Sequence, residues 1–557
     1  MIGKRMKHAH RYQEIIRCFL RNGFGYLMKD LGLTEALSLS VKREAKSDAL
    51  QQNLGERIRI LLEDLGTTFI KLGQIASTRR DLFPENIILE LEKLQNHVPP
   101  FSFTEVNRII EEELGADTEN LFAKFHQTPI ASASIGQVHF AILHTGENVA
   151  IKIQRPNIRT VVETDLEILE DLARLMDSQL EWARNYQLQD IIQEFSTSLR
   201  EELDFSNEGK NAEKIAKQFT QDSTIHIPKI YWDFSTKKVL TMDYIEGIKI
   251  NHIEQLAEKG LNRKIIAERF AHCLLHQIFI EGFFHGDPHP GNVLIMPGNV
   301  VALMDFGMVG RLTPELKYQF ISLIISLKRG DSERIIHTLS QMGLFPDDVD
   351  LSLLRLDIDH MREKYYHLPL SQLHLGEVLN EFFTIALQYR IQIPAEFTIL
   401  AKSLMTLEGI ISFLDPECNM MKIAEPFAEK LIRDRYHPKK MLETSIHQIK
   451  EYTDLLASFP KTVRELTSTI QKGKLQLKIS VSELHILLER LDKISNRLSF
   501  SIILLAFSII MVGLIVGSSI SNKTMLLWKI PIIEIGSVIA TLMFLGLLIA
   551  IFRSGKF

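Results

Sequence analysis

The 557-residue sequence predicts an α+β fold of two unequal lobes, with a helical N-terminal extension and a C-terminal hairpin of transmembrane helices. Three observations carry this expectation. The stretch PIASASIGQVHFAILHTGENVAIKI, from Pro129 to Ile153, is β-rich and interrupts sequence whose apolar positions otherwise recur with helical period. The loop HGDPHPGN at 285–292 is followed, thirteen positions after its Asn, by DFG, with a strand–turn–strand pattern between them. Two apolar runs without a charge, 498–522 and 535–552, close the sequence. A chain of this length exceeds what one hydrophobic core usually supports, so more than one structural unit is expected.

Residues 1–125 read as helices broken at Gly66, Pro84 and Pro99-Pro100. The first of them interleaves Lys4, Arg5, Lys7, Arg11, Arg17 and Arg21 with Ile15, Ile16, Phe19 and Leu20 at helical spacing. Such a helix either lies on an anionic membrane surface or packs its apolar face on the rest of the fold. Residues 126–250 read as the small lobe: a hairpin turning at HTGE into VAIKI, helices over 159–217, then strands in IPKIYWDF and KKVLTMDYIEG. The larger, helical lobe spans 251–430 and contains HGDPHPGN, the strands NVLIM and VVALMDFG, and the turn PGN between them. Residues 431–497 form a polar helical connector to the two spans at 498–552.

Each terminal run is long enough to cross about 30 Å of hydrocarbon as a helix. Arg490, Lys493 and Arg497 precede the first and Arg553 and Lys556 follow the second, which favours both ends in the cytoplasm, although Lys523 and Lys529 in the connection weaken the bias. This places the lobes at the inner face of a cytoplasmic membrane. Gly513 and Gly517 form a GxxxG that lets helices approach. Composition is that of an ordinary globular protein, with 45% hydrophobic and 24% charged residues, and a net charge of -5 gives no reason to expect nucleic acid as a partner. Cys18, Cys273 and Cys418 are far apart and odd in number, so a reducing compartment without a disulfide frame is expected. No apolar secretory segment follows the basic start.

Chemistry on a nucleoside triphosphate needs a backbone cradle over the phosphates, a lysine held by a carboxylate, oxygen ligands for a metal, and a carboxylate near the acceptor. Lys152 ends the predicted strand VAIK. Asp287 and Asn292 are five apart, the spacing of the kinase catalytic loop, in which the Asp faces the acceptor hydroxyl and the Asn holds a metal. Asp305 opens DFG, and the intervening hairpin can return it to Asn292, so that two oxygen ligands meet on one Mg2+. ATP and Mg2+ are therefore the expected cofactors. His285 and His289 flank Asp287, and in a Gly/Pro-rich loop they are expected to fix the turn by hydrogen bonds to backbone rather than to bind metal. After DFGMVG, Thr313 and Pro314 open a helix almost at once, leaving no room for a long activation segment.

The sequence resembles the UbiB family of atypical kinase-like proteins, through KxGQ (Lys71 to Gln74), ASASIGQVH, VAIK, the ExD of EELDFSNE (Glu202 to Asp204), HGDPHPGN and DFG. The resemblance implies a two-lobed atypical protein-kinase-like fold. It implies that Ala131, Ser132, Ala133, Ser134, Ile135 and Gly136 form the phosphate loop in place of a glycine-rich one, altering nucleotide preference and suppressing protein-kinase activity. It implies that the KxGQ helix folds over the nucleotide site, with Lys71 engaging the ExD acids. Glu202 is expected to pair with Lys152, with Asp204 and Glu208 facing Lys71; Glu208 competes for either role, because helical arithmetic stacks Glu201, Asp204 and Glu208 and offsets Glu202. From motif order, adenine is expected to meet backbone near Met242, Asp243, Tyr244 and Ile245.

The expected protein is a membrane-anchored ATPase. By resemblance it supports ubiquinone or related isoprenoid-lipid synthesis, with membrane lipids, isoprenoid or quinone intermediates and quinone-biosynthesis enzymes as partners. Two rivals stand beside it: a small-molecule or lipid phosphotransferase, since aminoglycoside and choline kinases use a similar HGDxHPGN loop, and a non-catalytic nucleotide-binding scaffold.

Overall fold

Helices of the extension start where the sequence supplies caps. The computed structural model describes residues 9–25, 53–94, 99–180, 183–184, 187–342, 345–346, 349–366 and 374–435, with nine further positions between 502 and 542. In chain order the extension carries α1 (Ala9–Arg21), α2 (Leu54–Leu65), α3 (Thr67–Ala76), α4 (Glu85–Leu91), α5 (Phe103–Leu114) and α6 (Thr118–Leu121). The Asn53 side chain accepts from the Glu56 N–H at 2.8 Å to open α2, and the Ser102 hydroxyl accepts from the Glu105 N–H at 3.3 Å to open α5. The expected break at Gly66 separates α2 from α3, where φ is +93°.

The small lobe follows with β1 (Lys124–Phe125), β2 (Ala131–Ser132), β3 (Gly136–Ile142), β4 (Asn148–Gln154), α7 (Ile158–Gln179), α8 (Leu188–Glu202), α9 (Phe205–Gln218), β5 (Ile225–His226) and β6 (Val239–Asp243). Its antiparallel sheet has the order β1-β3-β4-β6, with β2 beside β3. Side chains alternate across a strand, so Val149, Ile151 and Ile153 of β4 join Val106, Ile109 and Ile110 of α5 in a separate core on one face. Lys152 points to the other face. The strand expected over IPKIYWDF is replaced by a single bridge, Ile230 to Met242, and a 3-10 turn at Trp232–Phe234. Pro228 in that run has no N–H to give a ladder.

The helical part carries β7 (Ile248–Lys249), α10 (Ile253–Glu258), α11 (Arg263–Leu275), a π-helical turn (His276–Glu281), β8 (Phe283–His285), β9 (Val293–Met296), β10 (Val300–Leu303), β11 (Val309–Arg311), α12 (Pro314–Arg329), α13 (Ser332–Met342), α14 (Leu351–Tyr366), α15 (Leu375–Gln388), α16 (Ala395–Leu414) and α17 (Met420–Arg435). The PGN turn forms as expected: Gly298 and Asn299 take φ of +78° and +59°, the left-handed pair that suits a tight hairpin between β9 and β10. These strands complete a second sheet of order β5-β10-β9-β7, with β5 parallel to β10. One apolar core runs from Tyr12 of α1 through Phe205, Phe270, Phe306 and Phe397 to Leu431 of α17.

Met1–Leu442 form one compact unit and Glu443–Phe557 a second. Within the first, α1 uses its apolar face on protein: Tyr12, Ile15, Ile16 and Cys18 are buried, Arg11 donates to Asp165 at 2.7 Å, and the Tyr12 hydroxyl donates to Asp171 at 3.1 Å, both carboxylates being on α7. Packing rather than a membrane surface takes this face. Among the described residues one helix, α16, is long and apolar enough to cross a membrane, but Phe397, Leu400, Ala401, Leu404, Leu407 and Ile411 are buried in the core. The expected spans at 498–522 and 535–552 lie almost wholly outside the described residues.

Candidate functional site

Lys152 and Glu208 meet at 2.7 Å, and both side chains are largely buried. The partner of Lys152 is therefore Glu208, not Glu202 as the sequence suggested. Glu202 instead pairs with Lys71 of α3. The reason lies between the two acids: α8 ends at Glu202, and Asp204 has extended backbone (φ -111°, ψ 93°) before α9 begins. Glu202 and Glu208 thus sit on different helices, and no single helical wheel relates them. Asp204 does not face Lys71 either. Its carboxylate caps α9, accepting from the Ser206 N–H at 3.1 Å and the Ser206 hydroxyl at 2.6 Å.

The KxGQ helix is locked in place by each of its signature residues. Lys71 makes the ion pair, and the Gln74 side chain donates to the Leu94 carbonyl at 3.0 Å. A Cβ on Gly73 would stand 2.3 Å from Leu94 Cδ1 and 2.8 Å from Leu62 Cδ1, so glycine permits the close approach of α2 and α3. Beyond the helix, Arg79 is buried with Asp81 at 2.8 Å and Glu194 of α8 at 2.6 Å. Arg80 and Glu85 both reach Asn380 of α15, at 3.0 and 2.6 Å. The extension is tied to the helices inserted in the small lobe and to the large lobe at once.

The residues 131–136 are less a free loop than a tight turn. Ala131 and Ser132 pair with Val138 and Gln137, the Ala133 N–H donates to the Gly136 carbonyl at 2.8 Å, and Arg155 donates to the Ala133 carbonyl at 3.1 Å and to the Ser132 hydroxyl at 3.1 Å. Ser134 is fully buried, and its hydroxyl has no hydrogen-bond partner. A buried polar atom left without a partner is costly. Ile135 is buried, and its carbonyl accepts from the Arg155 N–H at 2.9 Å.

The HGDPHPGN loop is built by its histidines, as expected. His285 Nδ1 accepts from the Asp287 N–H at 3.2 Å while Nε2 donates to the Met304 carbonyl at 2.9 Å, and His289 Nδ1 accepts from the Gly291 N–H at 3.1 Å. Burial holds His285 below its ordinary 6.5, hence neutral, consistent with this tautomer. The π-helical turn turns Gln277 inward, and its Oε1 accepts from the His285 N–H at 2.9 Å. The Asn292 side chain donates to the Asp287 carbonyl at 3.1 Å through its amide nitrogen, a bond that does not use its Oδ1.

Asp305 occupies the left-handed region at φ +58°, and its carboxylate accepts from the Gly307 N–H at 3.2 Å. Lys152 first, and Lys71 with it, hold the Asp305 carboxyl below the usual range against its burial. Burial opposes the charge on Lys152, but Glu208 and Asp305 outweigh it and raise the ammonium above its ordinary value. For Glu208, burial wins over Lys152 and pushes the carboxyl up. Lys71, Lys152, Glu202, Glu208 and Asp305 are thus one electrostatic cluster, and His285 links it to Asp287.

Two residues had no signal in the motifs. Lys402 of α16 stands 2.9 Å from Asp287 Oδ1. Asn211 of α9 donates to the Phe306 carbonyl at 3.1 Å. The one feature that could have found Lys402 is its solitude as the single cation of a largely apolar helix that also carries Glu396 and Glu408. At the expected adenine contact, the Asp243 N–H donates to the Lys229 carbonyl and the Tyr244 N–H to the Asn148 carbonyl, both at 3.0 Å, so these two backbone donors are committed to protein carbonyls. Ile245 is buried beside them. Among the described residues no cluster of three or more His, Cys, Asp or Glu could hold a metal. Asn292 and Asp305 both carry hard oxygen donors of the type Mg2+ takes, and the Met304 N–H, next to Asp305, donates to the Asn292 carbonyl at 2.9 Å. A cavity of about 530 Å³ lined by Lys214, Lys217, Phe283 and Arg311 involves none of the predicted site residues.

This arrangement of lysine, acid partner, asparagine and aspartate coincides with a match to the ABC1 atypical kinase-like domain over residues 93–339, to the UbiB helical domain over 358–419, and to the ABC1/UbiB kinase-like C-terminal domain over 482–553. The chain belongs to the UbiB/ABC1 atypical kinase-like family. A Clostridium pasteurianum protein described by its position in the 5' region of hydrogenase 1 is 32% identical, over 98% of this chain and 99% of its own. "Probable protein kinase UbiB" of Azotobacter vinelandii is 34% identical over 74% of this chain and 78% of its own, and "Protein ACTIVITY OF BC1 COMPLEX KINASE 7, chloroplastic" of Arabidopsis thaliana is 34% identical over 79% and 64%. A solved complex of the Mycobacterium tuberculosis protein Rv3197 with erythromycin superposes with a TM-score of 0.46 at 25% identity, over 59% of this chain and 83% of that one. The step from DFG to α12 in this UbiB/ABC1 chain is short, and the Thr313 hydroxyl opens the helix by accepting from the Leu316 N–H at 3.2 Å.

Proposed function

We propose that this UbiB/ABC1 chain binds Mg-ATP and hydrolyses it slowly at the inner face of a membrane, in support of ubiquinone or related isoprenoid-lipid synthesis. The observation that carries the nucleotide site is the buried Lys152, held by Glu208 and facing the ionised Asp305. Lys152, Glu208 and Asp305 are brought together out of water, an arrangement that a polyanion with a divalent cation would complete. Lys152 would take the α and β phosphates, Asn292 and Asp305 would hold Mg2+, and Asp287 would face the incoming acceptor. The unpartnered Ser134 hydroxyl would complete the cradle beside the Ala131–Gly136 turn. Bound Mg2+ would supply neutralisation of the phosphate charge. Around it, the chain's own residues orient the nucleotide, and the extension that carries Lys71 covers the site.

Membrane anchoring rests on the two uncharged runs and on the exposed apolar side chains of Ile502, Leu505, Ile509, Val512, Val516 and Leu542. The basic residues flanking the runs favour lobes on the cytoplasmic side. Membrane lipids and isoprenoid or quinone intermediates are the partners this position suggests. The quinone link rests on the "Probable protein kinase UbiB" relatives. Full-length protein incubated with γ-labelled ATP and a membrane extract tests the reaction. Release of free phosphate supports the ATPase, whereas transfer of label to a discrete lipid or metabolite makes the chain a phosphotransferase. Quinone profiling of a deletion strain carrying the Asp305→Asn variant tests the pathway, and a normal profile there would leave nucleotide as a structural ligand only.

A further inference from the structure

Lys402 is the single cation of α16, a helix of 20 residues on which its neighbours Leu400, Ala401, Ser403 and Leu404 are buried. An ammonium in such surroundings is tolerated only where it is paired. Its partner is Asp287 Oδ1 at 2.9 Å, and the side chains are 19% and 36% exposed. The next residue, Ser403, is fully buried, and its hydroxyl lies 3.1 Å from the carbonyls of both His285 and Gly286. Two consecutive residues of α16 therefore grip the backbone and the carboxylate of one loop.

The charges facing the site explain why this matters. Lys71 is committed to Glu202 and Lys152 to Glu208. His285 senses Asp287, Asp305 and Lys402 together, so the Lys402 end and the Lys152 end belong to the same field. An ammonium has three N–H donors, and Asp287 needs one. In a kinase-type site the carboxylate at the position of Asp287 stands where acceptor and terminal phosphoryl group meet.

We propose that Lys402 is a phosphate-contacting residue, whose ammonium, aimed by Asp287 and by the Ser403 anchor, donates to the terminal phosphate of bound ATP. This rests on the Mg-ATP reading above. The contact is with the third phosphate, so it separates triphosphate from diphosphate whatever the preference of the parent protein. It also stays in place as charge develops on the transferring group, a form of stabilisation that needs no rearrangement.

The test compares Mg-ATP and Mg-ADP affinity, by calorimetry, in full-length parent, Lys402→Met, Lys402→Arg and Asp305→Asn proteins. Lys402→Met is expected to weaken ATP by about tenfold, the loss of one charge-assisted hydrogen bond, and ADP by less than about twofold. Lys402→Arg recovers most of the difference. An equal loss for both nucleotides, as a merely structural role would give, or no loss for ATP, overturns the proposal. If the methionine variant does not fold, Lys402→Gln carries the same comparison. A parent that binds neither nucleotide, or an Asp305→Asn variant that binds like the parent, overturns the nucleotide reading itself. Parent binding that Asp305→Asn abolishes, with an unchanged ATP-to-ADP ratio in Lys402→Met, overturns the role of Lys402 alone.

Discussion

The Asn211 side chain donates through Nδ2 to the carbonyl of Phe306 at 3.1 Å, and Asn211 lies three residues after Glu208 on α9. One helix therefore holds the acid partner of Lys152 and the backbone that carries Asp305. Asn211→Ala leaves the Phe306 carbonyl without this donor. We expect a loss of about 1 kcal/mol in urea unfolding, and a larger loss of affinity for nucleotide with Mg2+ than without it. Equal losses with and without Mg2+ would show that α9 does not set the position of Asp305.

The two acid partners are separable by double-mutant cycles. Breaking a buried ion pair costs about 3 kcal/mol because it strands the remaining charge, and less where more solvent reaches the pair: the Lys71 and Glu202 side chains are 16% and 21% exposed, those of Lys152 and Glu208 15% and 8%. Glu208→Ala is expected to destabilise by the larger amount, and its effect should shrink when Lys152 is already methionine. Glu202→Ala should couple to Lys71 in the same way and not to Lys152. A strong Glu202–Lys152 coupling energy would restore the pairing expected from sequence.

His285 gives a pH dependence with a fixed sign. Its folded value lies below 6.5, because burial disfavours the imidazolium more than Asp287 and Asp305 favour it, with Lys402 also lowering it. The unfolded chain then binds more protons in the window below 6.5, so stability is present above that pH and is lost as pH falls through the window. Chemical unfolding of the parent and of His285→Gln from pH 7.5 to 5 checks this. The parent's advantage should be largest at the upper end and should narrow towards pH 5; a constant difference would mean that His285 does not titrate.

Much of the site was legible because its parts are short motifs whose geometry is fixed locally. HGDPHPGN builds its own turn through His285 and His289, and the PGN hairpin returns the chain from Asn292 to Asp305. The acids were not legible, since the helix arithmetic assumed one helix where the extended backbone at Asp204 makes two. Lys402 lies 115 residues beyond Asp287, and only tertiary packing of α16 brings it back. The amphipathic pattern of α1 suited a membrane and a protein surface equally, and Asp165 and Asp171 of α7 decide in favour of protein. IPKIYWDF had the composition of a strand, but only Ile230 found a ladder partner.

The central claim is that Lys152, Asn292 and Asp305 converge on one magnesium-bound triphosphate. It is tested most directly by thermal unfolding of parent and Asp305→Asn proteins with and without Mg-ATP. With ligand at about a hundredfold above Kd, the parent should gain about 2.7 kcal/mol of stability and its midpoint should rise accordingly, while the variant's midpoint stays where it was without ligand. An equal shift in both proteins would contradict the account.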